Sequence, residues 1–211
     1  MSFIRRTYDE GYFANTLHKS SPDSHRNHQR LRVVLENSRQ GRLLEIGPGV
    51  GDFLTTASHQ FDVEGIEVSP HALTHIPPKL RDKIFVGNIE STPLEPCRYE
   101  VVVAFNVLEH LRDPSSVINK IRWSLTPDGC LIGSVPNNAG VVGRSHTQVG
   151  NYFDRTHCST FEPEEWRAVF SQAGFSSVDF FGELPLGPKI SLHVRRAHWR
   201  HLCPNLMFVC R

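Results

Sequence analysis

Apolar stretches alternate with amphipathic ones along the chain, and this alternation predicts its strands and helices. The run at residues 99–105 is apolar almost throughout, as expected of a strand buried on both faces of a sheet. Strands are predicted at residues 42–46, 62–68, 83–87, 99–105, 130–135, 175–181 and 205–210. Helices are predicted at residues 24–38, with Asp23 or Ser24 as the cap, and at 51–60, 70–75, 115–125, 162–173 and 187–202. The order favours an α/β protein with a doubly wound, mostly parallel sheet.

Three alternate glycines, Gly47, Gly49 and Gly51, follow the first predicted strand and precede a helix. Glycines at this spacing let the backbone turn tightly and approach a ligand, with the helix N-terminus directed at it. Such a loop after the first strand of an α/β sheet is typical of a site for a nucleotide-type cofactor. Glu67 follows Gly47 by 20 residues, near the end of the second predicted strand, where a carboxylate can accept both hydroxyls of a ribose. The alternatives are a purely structural turn and a solvated surface carboxylate.

A dinucleotide site is the first alternative for this loop. The dinucleotide fingerprint is G-x-G-x-x-G, whereas here the third glycine, Gly51, comes one residue earlier. Asp52 stands at the start of the next helix, where a carboxylate would repel a pyrophosphate. Both features favour a cofactor with a cationic end and no phosphate, such as S-adenosyl-L-methionine. A nucleotide-dependent oxidoreductase remains as an alternative.

In order along the chain, these motifs resemble the class I S-adenosylmethionine-dependent methyltransferases of the small-molecule type, related to the methyltransferase 11 and 23 families. The resemblance covers about residues 41–175 and is carried by LEIGPGVG at 44–51, VEGIEVS at 63–69, GNIE at 87–90, YEVVVAFNVLEHL at 99–111, LTPDGCLI at 125–132 and AGF at 173–175. It implies a Rossmann-like sheet of seven strands in the order 3-2-1-4-5-7-6, with the last strand antiparallel. It also implies methyl transfer from S-adenosyl-L-methionine to a small-molecule, sugar or lipid-linked acceptor, for which we expect an oxygen atom.

The resemblance places the cofactor at the ends of the first four strands. The glycine loop would bend around its methionine part, and Glu45 would attract its amino group. Asn88 stands where the family usually has Asp, and its amide oxygen can accept from the adenine amino group while Ile89 packs on the ring. Asn106 is expected near the sulfonium. The predicted cofactor-binding set is Glu45, Gly47, Pro48, Gly49, Gly51, Glu67, Val68, Asn88, Ile89, Asn106 and Val107.

A base is needed only for the acceptor, because the sulfonium already activates the methyl group and the protein mainly aligns the reactants. Asp154 and His157 are three residues apart in the long loop of residues 136–161, and a carboxylate can raise the basicity of imidazole. They are predicted as a catalytic pair, with His110 as the alternative base. A structural hydrogen bond is the other interpretation of each histidine. Glu109 and His110 alone make a poor oxygen-rich site, so no metal is predicted.

Bulk properties narrow the class of protein further. The net charge of +1 gives no basic excess for nucleic acid, and no run of 18 apolar residues suggests a membrane span. Five dispersed cysteines favour reduced thiols and a cytoplasmic location. A single domain is predicted over residues 1–211, in which residues 1–38 cover the cofactor site and residues 39–211 form the core. The basic stretch at residues 195–201 fits an anionic substrate, an acidic partner or a solvated helix face. A catalytically silent, cofactor-binding relative is the second alternative.

Overall fold

The fold is an eight-stranded sheet with helices on both faces, seen in a computed structural model that describes residues 21–139, 158–159, 161–187, 189–196 and 201–211. The strands are β1 Arg42–Ile46, β2 Asp62–Glu67, β3 Ile84–Val86, β4 Tyr99–Phe105, β5 Leu125–Pro136, β6 Val178–Pro185, β7 Ser191–Val194 and β8 Asn205–Cys210. The α-helices are α1 His25–Asn37, α2 Asp52–Ala57, α3 Pro114–Ser124 and α4 Pro163–Gln172. Short 3-10 helices span Pro70–Thr74, Pro78–Lys83 and Leu108–His110.

The strand order is β3-β2-β1-β4-β5-β8-β6-β7. Strands β3, β2, β1, β4 and β5 are parallel, whereas β8 runs antiparallel between β5 and β6. The doubly wound, mostly parallel sheet and its antiparallel last strand are therefore confirmed. The chain reverses its winding between β1 and β4, so the carboxyl ends of these strands open a crevice for a ligand.

The sheet has one strand more than the seven predicted, because part of the expected helix at residues 187–202 is a strand. Residues 191–194 form β7, which pairs antiparallel with β6 and places His193 beside Glu183. Ser191 is buried and the next residue, Leu192, is exposed, which is the alternation of an edge strand and not that of a helix. The helix prediction is wrong for this segment. The basic residues that follow it suggested a helix, and the two-residue period of the strand extends over only four residues.

Several predicted boundaries also shift. Strand β5 begins at Leu125 rather than near residue 130, since Leu125 pairs with Tyr99 and Cys130 with Val101, so the four residues between them bulge from the strand. Strand β6 begins at Val178 rather than near residue 175, and α2 ends at Ala57 rather than near residue 60. Strands β1, β4 and β8 have the predicted bounds.

Both faces of the sheet are buried. Val102 and Ala104 of β4 pack with α3 and α4, whereas Val101, Val103 and Phe105 pack with α1 and α2. Burial of alternate residues on opposite faces explains why β4 is apolar almost throughout. In the described part of the chain, no helix is both long and apolar enough to cross a bilayer.

Helix α1 is held at its start by a side-chain cap. The Ser24 hydroxyl accepts a hydrogen bond from the Asn27 amide at 3.2 Å, and Ser24 is 8% exposed, whereas Asp23 is exposed. The structure therefore assigns the cap to Ser24, one of the two predicted residues.

We expect Ser24→Ala to lower the free energy of unfolding by about 1 kcal/mol, because the Asn27 amide then loses its partner. The matched control is Asp23→Ala, which should stay within about 0.5 kcal/mol of the parent protein. Chemical denaturation followed by circular dichroism measures both variants. Equal losses in the two variants would show that the helix does not depend on Ser24.

Candidate active site

The loop between β1 and α2 has a backbone conformation that depends on its glycines. Gly47, Gly49 and Gly51 have φ angles of 68°, 55° and 80°, a region that side-chain-bearing residues rarely adopt. The Gly47 amide donates to the Ile66 carbonyl at 2.9 Å, which continues the pairing of β1 with β2 into the loop. The predicted tight turn at the crevice is therefore present in the fold.

Close packing surrounds one glycine of this loop and open space faces another. A Cβ atom on Gly47 would lie 2.8 Å from a methyl group of Val107, so the ends of β1 and β4 approach each other here. A Cβ atom on Gly49 would meet nothing within 4 Å. Pro48 lies between them and contacts Gly65 of β2 closely, since a Cβ atom there would lie 3.1 Å from the proline ring. Gly49 therefore presents bare backbone to the crevice.

Glu67 closes the loop from β2. Its Oε2 atom accepts from the Gly49 amide and its Oε1 atom from the Ser69 amide, both at 2.9 Å. The side chain is 4% exposed, so it is not the solvated surface acid that was the alternative. Burial raises the pKa of Glu67, while the amides of Ser69 and Gly49 oppose that change. Each carboxylate oxygen can accept more than one hydrogen bond, so both remain able to accept a ribose hydroxyl.

Glu45 is the buried carboxyl group beside this loop. It is 4% exposed, and its Oε2 atom has no hydrogen-bond partner among the described residues. Burial raises the pKa of Glu45 to about 8; Arg30 opposes the increase, whereas Glu67 and Asp52 add to it. A buried carboxyl oxygen without a partner is costly, and an ammonium group would satisfy it. The site therefore fits the amino group of S-adenosyl-L-methionine.

Asp52, at the start of α2, belongs to the same group of acids. Its Oδ2 atom has no hydrogen-bond partner in the described part of the chain, and burial raises its pKa to about 6. Three carboxyl groups thus stand around the glycine loop, which suits a cation and disfavours a pyrophosphate.

The loop after β3 carries the residues predicted for adenine. The Asn88 side-chain oxygen accepts from the Glu90 amide at 2.9 Å, so part of its hydrogen-bonding capacity is used in a local turn. Ile89 is 5% exposed and belongs to the core on the α3 side. Lys120 of α3 donates to the backbone carbonyls of Ile89 and Thr92 and fixes this loop. Lys120 was missed because nothing near it in the sequence indicates this contact.

The end of β4 brings the next predicted residues to the crevice. Asn106 has a φ angle of 54°, and its side-chain oxygen accepts from the Ser134 hydroxyl of β5 at 3.0 Å. Val107 is the next residue, and its side chain packs against Gly47. Val68 is half-buried and follows Glu67 at the end of β2. The structure therefore brings residues from the ends of β1, β2 and β4 together at the crevice, while those after β3 lie in the loop fixed by Lys120. Their roles toward the cofactor stay predictions.

The candidate bases are only partly described by the structure. His110 is half-buried at the end of the 3-10 helix Leu108–His110, and its amide donates to the Val107 carbonyl at 3.0 Å. Asp154 and His157 lie outside the described residues. The amides of Cys158 and Ser159 donate to the Glu109 carbonyl at 2.8 and 2.9 Å. The last part of the long loop is thus anchored beside His110.

Sequence reasoning also missed a buried ion pair. The Arg30 guanidinium of α1 donates to the Glu183 carboxylate of β6 at 3.4 Å and lies 4.3 Å from the centre of the Phe105 ring. Arg30 and Glu183 are 8% and 1% exposed. They are 153 residues apart in the chain, so no local pattern links them.

Comparison with known proteins defines the class. A family described as "Methyltransferase domain" matches residues 22–179, which is most of the chain and contains every described residue of the crevice. The protein belongs to this family of methyltransferase domains. S-adenosyl-L-methionine is its cofactor, as predicted. The dinucleotide alternative is thereby set aside.

Curated relatives agree with this family. A probable S-adenosylmethionine-dependent methyltransferase of Mycolicibacterium smegmatis is 29% identical over 169 residues, which is 73% of this chain and 65% of that protein. A probable S-adenosylmethionine-dependent methyltransferase of Mycobacterium tuberculosis is 26% identical over 152 residues, or 70% of this chain and 53% of the relative. The chain thus spans between about half and two thirds of the length of these relatives.

Solved structures show the same fold. A Thermotoga maritima methyltransferase, described as a possible histamine N-methyltransferase, superposes with a TM-score of 0.72 at 18% identity, covering 92% of this chain and 90% of that one. The Haemonchus contortus phosphoethanolamine N-methyltransferase 2, bound to S-adenosylhomocysteine, superposes with a TM-score of 0.61 at 18% identity. The match covers 72% of this chain and 38% of that one. At these identities the similarity concerns the fold alone.

The raised pKa of Glu45 predicts that cofactor binding depends on pH. Below about pH 8 the free carboxyl group is protonated, and pairing with the ligand ammonium requires its ionised form. The affinity for S-adenosylhomocysteine should therefore rise with pH, by at most about tenfold per unit, and level off above pH 8. Calorimetry at pH 6.5 in buffers of different ionisation enthalpy should show release of about one proton per ligand bound.

Two variants assign this proton to a residue. Glu45→Gln should bind more weakly and lose the proton release. Glu64→Gln is the control, because Arg98 and Tyr99 hydrogen-bond to the Glu64 carboxylate and keep its pKa low despite partial burial. Proton release that persists in Glu45→Gln would assign it to another group.

Loss of the Glu67 carboxylate should weaken cofactor binding and loosen the loop together. We expect Glu67→Ala to lower the affinity for S-adenosylhomocysteine by about 10- to 100-fold, the effect of losing a hydrogen bond to a charged group. Glu67→Gln keeps one acceptor oxygen, so its affinity for S-adenosylhomocysteine should fall less than that of Glu67→Ala. Glu64→Ala, on the same strand, serves as the control and should bind normally. An unchanged dissociation constant in Glu67→Ala would rule out Glu67 as the ribose anchor.

Proposed function

We propose that this protein transfers the methyl group of S-adenosyl-L-methionine to an oxygen atom of a small-molecule, sugar or lipid-linked acceptor. The observation that supports the transfer itself is the buried carboxyl group of Glu45, whose Oε2 atom has no partner among the described residues, beside a glycine loop whose backbone is bare at Gly49. This arrangement suits a ligand with an ammonium group and no phosphate. The mycobacterial relatives are described as probable S-adenosylmethionine-dependent methyltransferases, which supports the methyl transfer.

Each residue has a defined task in this proposal. The bound cofactor supplies an electrophilic methyl group on a sulfonium. Glu45 holds the ammonium group, Glu67 accepts the ribose hydroxyls, and the glycine loop fits the methionine part. Asn106 stands at the end of β4 with its orientation set by Ser134. These contacts align the methyl group with the attacking atom, and most of the rate enhancement comes from that alignment.

The acceptor oxygen loses a proton during the transfer, and a histidine takes it. We propose His157, oriented by Asp154, with His110 as the alternative. In support, the Cys158 amide, next to His157 in the sequence, donates to the Glu109 carbonyl in the 3-10 helix after β4. The fold itself does not choose the acceptor atom, since neighbours at 18% and 20% identity include N-methyltransferases and a carbon methyltransferase.

The organisation of the chain completes the proposal. Residues 39–211 would form the catalytic core and residues 1–38, with α1, the cover of the cofactor site, within one domain. The cysteines are free thiols in the described structure, in keeping with the predicted cytoplasmic location, which stays a prediction. The oligomeric state is open.

Removal of the base should slow transfer far more than it weakens cofactor binding. We expect His157→Ala to lower turnover by about 100- to 10,000-fold with an unchanged affinity for S-adenosylhomocysteine. The loss should shrink at high pH if the acceptor hydroxyl ionises without help. His59→Ala, an exposed histidine that follows α2, is the control.

The assay uses methyl-labelled cofactor with a cell extract, followed by identification of the labelled product. An O-methylated product whose formation requires His157 supports the proposal. Full activity in His157→Ala combined with loss in His110→Ala would move the base to His110. An N-methylated or C-methylated product would contradict the oxygen acceptor.

A further inference from the structure

A second group of buried polar side chains lies at the carboxyl end of the sheet, away from the glycine loop. Glu183 of β6 is beside Asn205 of β8, which in turn is beside Pro136 at the end of β5. Glu183 is therefore level with the strand ends that border the crevice. Arg30 reaches it from α1 and covers Phe105, the last residue of β4.

This group has five buried atoms without a hydrogen-bond partner among the described residues. They are Nε of Arg26, Nε of Arg30, Oε1 of Glu183, Oγ of Ser191 and Nε2 of His193. Ser191 and Glu183 are 0% and 1% exposed. Buried polar atoms in folded proteins are almost always paired, so five unpaired atoms in one place indicate a missing partner. A purely structural role, in which the Arg30–Glu183 ion pair joins α1 to β6, would explain the pair itself. It would not explain why the other buried polar atoms have no partner.

The charges of the group indicate what that partner is. Although burial works against it, Arg30 and Arg26 keep the pKa of Glu183 below its usual range, so Glu183 is ionised. Burial lowers the pKa of His193, which is therefore neutral at pH 7. Two guanidinium groups thus face one carboxylate. Four of the five unpaired atoms can also donate a hydrogen bond, and only the Glu183 oxygen is restricted to accepting. Excess positive charge and excess donors suit an oxyanion.

Except for Arg30, whose charge also acts on Glu45, the group lies away from the position expected for the cofactor. Strands β1 and β6 are four places apart in the sheet, or about 19 Å at the usual strand spacing. Glu45, which fits the cofactor amino group, lies on β1. The unpaired atoms of Ser191 and His193 lie one strand further out, on β7. A groove of about 250 Å³ between α1 and β7 is bordered by His193 of this group, with Arg32, Arg195 and the Glu36 carboxylate among its other lining residues.

We propose that Arg26, Arg30, Glu183, Ser191 and His193 form the acceptor subsite and bind an oxyanion, a carboxylate or a phosphate, on the methyl acceptor. This inference rests on the proposed function. The guanidinium groups and the Ser191 hydroxyl donate to the oxyanion. Glu183 holds Arg30 in place and accepts from a neighbouring hydroxyl of the acceptor. The reactive oxygen then lies toward Phe105 and Asn106, at the end of β4.

The test uses the full chain saturated with S-adenosylhomocysteine and two probes, inorganic phosphate and acetate, with chloride at equal ionic strength as the reference. The double variant Ser191→Ala/His193→Leu removes two unpaired groups and no charge, so the Arg30–Glu183 pair is kept. The matched control is Leu192→Ala, which lies between them on β7 with its side chain exposed.

Phosphate or acetate should raise the melting temperature of the parent protein and of Leu192→Ala, with a dissociation constant on the order of millimolar. The double variant should bind the same anion at least about tenfold more weakly. Its affinity for S-adenosylhomocysteine should be unchanged. If the double variant does not fold, Arg30→Lys replaces it, since lysine keeps the charge but loses the Nε donor, and the same weakening is expected.

Three results would overturn the proposal. One is equal anion affinity in the double variant and the parent. Another is no effect of either anion on the parent up to about 50 mM, well above the expected dissociation constant. The third is an anion effect that appears when the same titration is repeated on the protein without S-adenosylhomocysteine but is absent from the saturated protein, because the anion then occupies the place of the cofactor's own carboxylate. Failure of the proposed function appears separately, as absence of S-adenosylhomocysteine binding, and leaves the anion measurement valid. The stronger probe identifies the oxyanion as carboxylate or phosphate.

Discussion

The hydrogen bonds from Gly49 and Ser69 to the buried Glu67 carboxylate hold the cofactor site in shape. They connect the loop after β1 to the end of β2, across the point where the sheet reverses its winding. Each glycine of that loop has a positive φ, which glycine adopts freely, so contacts to the loop are needed to select one conformation. A buried carboxylate that accepts two amides supplies this constraint and keeps acceptor capacity for a ligand.

Three carboxyl groups cluster around this centre, and each resists ionisation in the absence of a ligand, which is why we expect the site to prefer a cation. Glu45, Asp52 and Glu67 all have pKa values raised by burial, and Arg30 is the basic group that opposes the increase at Glu45. A ligand with an ammonium and a sulfonium group relieves this strain, whereas a pyrophosphate would add to it. Arg30 is also paired with Glu183, so the cofactor side and the proposed acceptor side of the crevice share one guanidinium.

The parts of the fold that local sequence determines were predictable. The glycine loop, the apolar run of β4 and the capping choice between Asp23 and Ser24 each depend on neighbouring residues. Contacts between distant segments were not predictable. Examples are the ion pair of Arg30 with Glu183 and the hydrogen bonds of Lys120 to the loop after β3. Strand β7 was not predicted because it has only four residues, and its pairing in the described sheet is with β6. The basic residues next to it suggested a helix instead. Asn88 is a third case, because its hydrogen bond to the Glu90 amide within a local turn was not predicted.

The central claim is that the buried Glu45 carboxyl group, whose Oε2 atom has no partner in the described structure, recognises the amino group of S-adenosyl-L-methionine. The most direct measurement compares S-adenosylhomocysteine with its analogue lacking the amino group, by calorimetry on the parent protein and on Glu45→Gln. The account predicts that removal of the amino group costs the parent about tenfold or more in affinity. The same removal should cost Glu45→Gln little, because the partner is already gone. Equal losses in the two proteins would show that Glu45 does not bind the amino group, and would contradict the account.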